Sequence, residues 1–321
     1  MRASSSRFNR PRSFTLIELL LVVFILAAVA ATAISVVDHE DQQFRFQETQ
    51  RRLAAIRTAV VGRPQQVLHG QPQVSGFVAD MGRLPKDLQE LLDPKAEIGT
   101  DPDLKPYGVS AEFGLGAGWR GPYLQVMPDL SGERRYRDGW GSAGSGRNSG
   151  WEVDSTGPDF FVQSYGADSA PGATTGGVYE VDYPPAGTPL VKETDYLVDL
   201  SKRFVTVYFS NTSPIATAST TAAVRLLFPH EGEISLTGPG HVETDPRQVD
   251  VPPDATNYPV RFQFKVADPV PWGLRALVVC DLSGSPSISL WGAQVPTQAK
   301  QVLLLPRVEV PADFDFHWSV P

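Results

Sequence analysis

The sequence predicts an α+β protein in which a long N-terminal transmembrane helix packs on a small β head and a β-sandwich follows. Three observations predict it. Residues 14–37 form an almost unbroken apolar run after a basic start. A polar stretch with a helical apolar stripe continues to residue 61. From about residue 190 onward, short alternating segments recur between glycine and proline turns. The expected boundaries are a leader at 1–13, the helix at 14–62, the head at 63–188 and the sandwich at 189–321.

A chain of 321 residues is long enough for an anchor and one or two small domains. The formal net charge of -8 argues against a nucleic-acid partner, because phosphate binding needs a basic surface. The single cysteine, Cys280, follows Leu277, Val278 and Val279, which reads as a buried core thiol.

The first thirteen residues contain Arg2, Arg7, Arg10 and Arg12 and no acid. The apolar run behind them is long enough to cross a bilayer as a helix. The basic side stays cytoplasmic by the positive-inside rule, which puts the remainder of the chain on the outer face. A secretory signal peptide fits less well, since its apolar region is shorter, although residues 27–33 are rich in small side chains. A plain signal anchor explains hydrophobicity and orientation but not Glu18. A carboxylate inside a membrane helix costs roughly a few kcal/mol and needs a reason.

The octet Ser13-Phe14-Thr15-Leu16-Ile17-Glu18-Leu19-Leu20 closely resembles the cleavage and methylation site of type IV prepilins and type II secretion pseudopilins. The resemblance implies a prepilin peptidase that cuts between Ser13 and Phe14 and methylates the new amine. It implies that Glu18 neutralises the terminal amine of a neighbouring subunit during assembly, and a buried carboxylate is tolerable when so paired. It also implies like subunits as partners, an inner-membrane assembly platform with its ATPase, and membrane lipid around the helix. Two positions depart from the pattern. Serine stands where the family usually has glycine before the cut, and no proline lies between residues 14 and 61 to let the helix unwind. Loss of a leader with four arginines takes the formal charge from -8 to -12.

Beyond the apolar run, residues 38–61 carry a stripe at Phe44, Leu53, Ile56 and Val60, and Glu48 stands at pairing distance from Arg52. Gly62 and Pro64 stop the helix. At the standard rise it spans about 70 Å. The stripe is too irregular for sustained heptads.

Residues 65–82 read as a loop, and residues 85–92 as a short helix with Leu88, Leu91 and Leu92 facing in. Residues 93–118 are rich in glycine and proline and irregular. Three segments follow: Gly121-Pro122-Tyr123, Asp138-Gly139-Trp140-Gly141, and a strand ending in Ser164-Tyr165-Gly166-Ala167-Asp168. In this order they resemble the head of the major pseudopilin. Gly139 and Gly141 flank Trp140 in a tight turn, which reads as a buried aromatic between strands. The resemblance covers about residues 1–183. It implies calcium in the loop after the last strand, at the matching positions Asp168 and Asp182; Ser169 and Glu180 are further oxygen donors nearby. Calcium takes six to eight oxygens, which a turn-rich loop supplies. A solvated loop with turn-forming aspartates is the alternative.

In the C-terminal part, residues 204–209, 223–228 and 302–310 alternate. The clearest pattern sets Val260, Phe262, Phe264 and Val266 on one face, with Arg261, Gln263 and Lys265 on the other. Strands at this spacing suggest a β-sandwich, with an immunoglobulin-like arrangement among its forms. The five histidines are scattered, His230-Glu231 lacks the continuation of a zinc motif, and no nucleophile elbow or phosphate loop is present.

The expectation is therefore a structural, non-enzymatic subunit of a secretion pseudopilus or pilus-like filament. The alternatives are a minor or tip subunit, or a membrane-anchored ectodomain that never polymerises and binds a ligand through its C-terminal β domain.

Overall fold

The computed structural model describes residues 15–95, 103–128, 130, 132–142, 144, 146–172, 177, 179–265, 269–284, 288–292 and 299–320; side chains at 31–39 and 71–72 are excepted. Helix α1 runs Leu16–Val61 without a break. It ends as expected at Gly62, whose φ of 74° needs glycine and whose backbone lies against Ser75. A Cβ on Gly62 would stand 1.9 Å from the Ser75 carbonyl oxygen.

The buried stripe of α1 differs from the expected one. Leu53, Ile56 and Val60 are buried, and Glu48 pairs with Arg52 at 2.8 Å. Phe44, however, is 67% exposed. Its place is taken by half-buried Phe46 and fully buried Thr49. The buried stripe at 46, 49, 53, 56 and 60 has a regular 3-4 spacing, which position 44 does not fit.

The expected membrane span at residues 14–37 is not met among the described residues: no helix there is long and apolar enough to cross a membrane. Its described apolar side chains run from 16 to 30; Phe14 and the side chains of 31–37 lie outside the described residues.

Helix α2 (Phe77–Met81) occupies the stretch expected to be a loop. Five residues are too few to show a helical period, but all five are buried and glycines bound them at both ends. The expected helix at 85–92 is shorter, a 3₁₀ turn at Gln89–Leu91, though Leu88, Leu91 and Leu92 are buried as expected.

Short antiparallel pairs make up the head: β1 (Val67–Leu68) with β2 (Gln71–Pro72), β3 (Gly108–Val109) with β4 (Gly116–Ala117), and β5 (Trp151–Asp154) with β6 (Phe161–Ser164). The C-terminal part contributes β7 (Leu197–Val198), β8 (Phe204–Asn211), β9 (Ala218–Leu227), β10 (His241–Glu243), β11 (Arg247–Val251) and β12 (Tyr258–Gln263). It continues with β13 (Val270–Pro271), β14 (Gly273–Asp281), β15 (Ser289–Leu290), β16 (Lys300–Leu304) and β17 (Asp313–Val320). One sheet has the order β10-β9-β14-β15, with β11 also on β9 and β16 also on β14. A second has the order β12-β8-β17, in which β17 runs parallel to β8. β7 and β13 pair separately.

Alternation holds in the three-stranded sheet. Val205, Val207 and Phe209 of β8 are buried, and Phe262 and Phe264 are buried between exposed Arg261, Gln263 and Lys265. Val266 lies outside the described residues. Alternation fails in β9, where residues 222–227 are all buried, because β9 is central in its sheet and covered on both faces. The alternating run expected at 302–310 stops at Leu304, and Arg307 takes a left-handed φ of 58°. Cys280 is buried within β14, and burial pushes its thiol up to about 12, as an inert core thiol requires.

One cluster of buried apolar side chains extends from α1 through the head into both C-terminal sheets. Arg275 of β14 is buried in it and donates to the carbonyls of Pro271, Trp272 and Leu274. Burial pushes its pKa down to about 9, and the charge of Asp80 on α2 opposes that shift.

Candidate functional site

Two regions carry the residues singled out in the sequence, and α1 connects them. At the start of α1, Thr15 is the N-cap. Its hydroxyl accepts from the Glu18 amide at 3.3 Å, while Glu18 Oε2 accepts from the Thr15 amide at 3.3 Å. This is a capping box, and it puts the Glu18 carboxylate at the positive end of the helix. The local pattern Thr-x-x-Glu is the sequence signal for this cap. Ser13 and Phe14 lie outside the described residues. The side chains that follow are exposed and apolar, with Leu16 81% and Ile17 77% exposed.

The second region is where α1 meets the head. Gly139 sits so close to the helix that a Cβ there would stand 2.1 Å from the Arg45 carbonyl oxygen. Its amide donates to Thr49 Oγ1 at 3.0 Å, and Arg52 Nη1 donates to the carbonyls of Arg137 at 2.8 Å and Asp138 at 3.0 Å. The buried member of this turn is Asp138, not Trp140 as expected. Trp140 is half-buried and tilted over Tyr179, because the turn places it at the edge of the helix contact. Asp138 is 1% exposed. Its carboxylate accepts from the Trp140 and Ser142 amides and from the hydroxyls of Ser142 and Ser164, the last at 2.6 Å. A carboxylate with that many donors is compatible with full burial. Sequence reading missed this role; its signal was the aspartate of the quoted turn.

The acidic loop hangs from the same place. Ser164 and Tyr183 exchange backbone hydrogen bonds at its base, at 2.8 and 2.9 Å. Phe46 of α1 packs edge-on against Tyr179 and Tyr183, with ring centroids 5.8 and 4.9 Å away. Asp168 accepts from the Ala170 amide at 3.1 Å, Glu180 from the Gly177 amide at 2.9 Å, and Asp182 Oδ2 from the Gly172 amide at 2.8 Å. Ser169 Oγ lies 3.3 Å from Ser142 Oγ. Asp182 Oδ1 is buried with no hydrogen-bond partner among the described residues. It is the oxygen of this loop that a hard cation would satisfy. Among the described residues no three of His, Cys, Asp and Glu come together as a metal-holding group. Residues 173–176 and 178 of the loop lie outside the described residues.

These features define a protein whose first element is a long capped helix, exposed and apolar at its start and docked on an α+β head at its end. Residues 8–34 match the family model of the prokaryotic N-terminal methylation motif. The chain thus carries a motif consistent with a type IV pilin-like, prepilin-type N-terminus. No curated protein and no solved structure matches the chain.

Proposed function

We propose that the chain is a structural subunit of a type II secretion pseudopilus or a type IV pilus-like filament. The observation that carries this reading is the methylation motif at residues 8–34. It implies prepilin-peptidase processing and pilin-type assembly. The exposed apolar start of α1 supports it, since a contiguous apolar face of this kind needs lipid or other subunits to cover it.

In this reading the peptidase cuts between Ser13 and Phe14 and methylates Phe14. The helix is held in the inner membrane with the head outside, and an assembly platform moves it into the filament. Glu18 leaves its capping box to pair with the terminal amine of a neighbouring copy. The 189–321 region forms a sandwich on the outside of the filament. Asp168, Ser169, Glu180 and Asp182 would hold calcium, which supplies fixed positive charge to bind the two ends of the acidic loop together. The orphaned Asp182 Oδ1 supports that assignment.

Intact-mass and N-terminal analysis of the protein from native membranes tests the reading. A chain starting at N-methylated Phe14 is expected. A chain that retains residues 1–13 overturns it and leaves a signal-anchored ectodomain. Calcium is tested separately: a rise in the unfolding midpoint on adding calcium, abolished in Asp182→Asn, is the expected result.

A further inference from the structure

A cavity of about 560 Å³ lies at the end of α1, walled by the last helical turns, the segment after them and the C-terminal region. Its charged lining is Arg57, Arg63, Asp195 and Arg307, with Gln65 and Gln66 beside them. Arg57 Nη2 donates to Asp195 Oδ2 at 2.9 Å, and Arg307 pairs with Asp195 Oδ1. Asp195 is buried and supplies one negative charge against these two cations. Arg63 is exposed and forms no ion pair among the described residues. Three guanidinium groups thus line a cavity that holds one carboxylate, a local excess of positive charge on a chain of formal charge -8. Arg307 holds its guanidinium there from a left-handed backbone, φ 58°, a conformation that costs any residue but glycine.

We propose that this cavity is an oxyanion site for a group of the carboxylate or phosphate class. A guanidinium presents several N–H donors in a plane that matches such groups. Arg57 and Arg307 give Nη2 donors to Asp195, which fixes the two forks in place and leaves their other N–H groups for a ligand. Asp195 is in this respect a positioning residue. Burial pushes its carboxyl up, but the Lys192 amide, Arg57 and Arg307 together hold it below the usual carboxylate range, so it stays ionised. The oxyanion has two sources, a free anion or an acidic side chain of a second copy of this chain. The site does not depend on how the N-terminus is processed.

The test titrates inorganic phosphate into the full chain in detergent micelles at low ionic strength, by calorimetry. Saturable binding is expected in the wild type and at least tenfold weaker binding in Arg63→Gln. Both proteins should unfold at the same temperature, because Arg63 is exposed and outside the Asp195 pairs. Sedimentation of the same samples separates the sources. Dissociation of wild-type oligomers by phosphate, absent in Arg63→Gln, assigns the site to an acidic side chain of a second copy. Unchanged sedimentation with retained phosphate binding assigns it to a free anion. Absence of saturable binding, or equal binding in Arg63→Gln, overturns the proposal and leaves arginines that serve only Asp195 and the helix end.

Discussion

The two halves of α1 belong to one unbroken helix yet are stabilised by opposite means. Residues 16–30 are exposed and, Glu18 apart, apolar. Residues 46–61 bury a narrow stripe against the head and use Thr49 and Arg52 to hold a turn of it by hydrogen bonds. The docked half thus carries its partner in the same chain, whereas the apolar half has none among the described residues. A helix in which apolar residues cover nearly every face gains little from its own fold, since nothing among the described residues removes that surface from water. The head fixes one half, and the environment or a neighbouring copy must fix the other.

The largest expected effect comes from truncating the same residue type in each half. Ile56→Ala, at a fully buried site, should cost about 4 kcal/mol in denaturant unfolding of the full chain in micelles, whereas Ile25→Ala should cost less than about 0.5 kcal/mol. Equal costs would break the comparison. Beneath the docked half, Asp80 of α2 is buried with Arg120 and Tyr123, and burial raises its pKa to about 6 against those partners. A raised carboxyl means the folded state holds the proton more tightly. Its contribution therefore falls as pH rises from about 4 to 6 and is flat above, a loss of about 3 kcal/mol. Asp80→Asn should remove that slope; an unchanged pH profile would contradict it. Asp138→Ala should cost about 2 kcal/mol, because it strands the buried donors of Ser142 and Ser164, and should raise amide exchange at Thr49 and Gly139. Thr15→Ala should cost about 1 kcal/mol of local helix stability, read as faster amide exchange over residues 16–19 with no change in the head.

How far the sequence could be read follows the same division. Where one face is buried and one exposed, as in β8 and β12, the alternation was visible and holds. Where both faces are covered, as in β9, the expected alternation is absent from the structure. α2 escaped because five residues cannot show a period. Phe44 and Phe46 are equally apolar, and only the positions of Tyr179 and Tyr183 decide which one packs. In the candidate site, the pairing of Thr15 with Glu18 is legible because capping is local. Asp138 was quoted as part of a turn, but its partners come from segments distant in the chain.

By itself the sequence determined the N-terminal motif, the α1 helix with its stop at Gly62, the α+β class and the buried thiol. Each of these depends on composition or on residues within a few positions of one another, where spacing alone fixes geometry. Only the tertiary structure decided that Asp138 is the buried anchor of the docking turn, that the acidic loop is packed onto α1 through Phe46, and that Arg57 and Arg307 meet at Asp195 in a cavity that Arg63 also lines. Those groupings join residues up to 250 positions apart, Arg57 and Arg307 being the extreme, and no local pattern encodes which distant side chain supplies the missing partner of a buried charge.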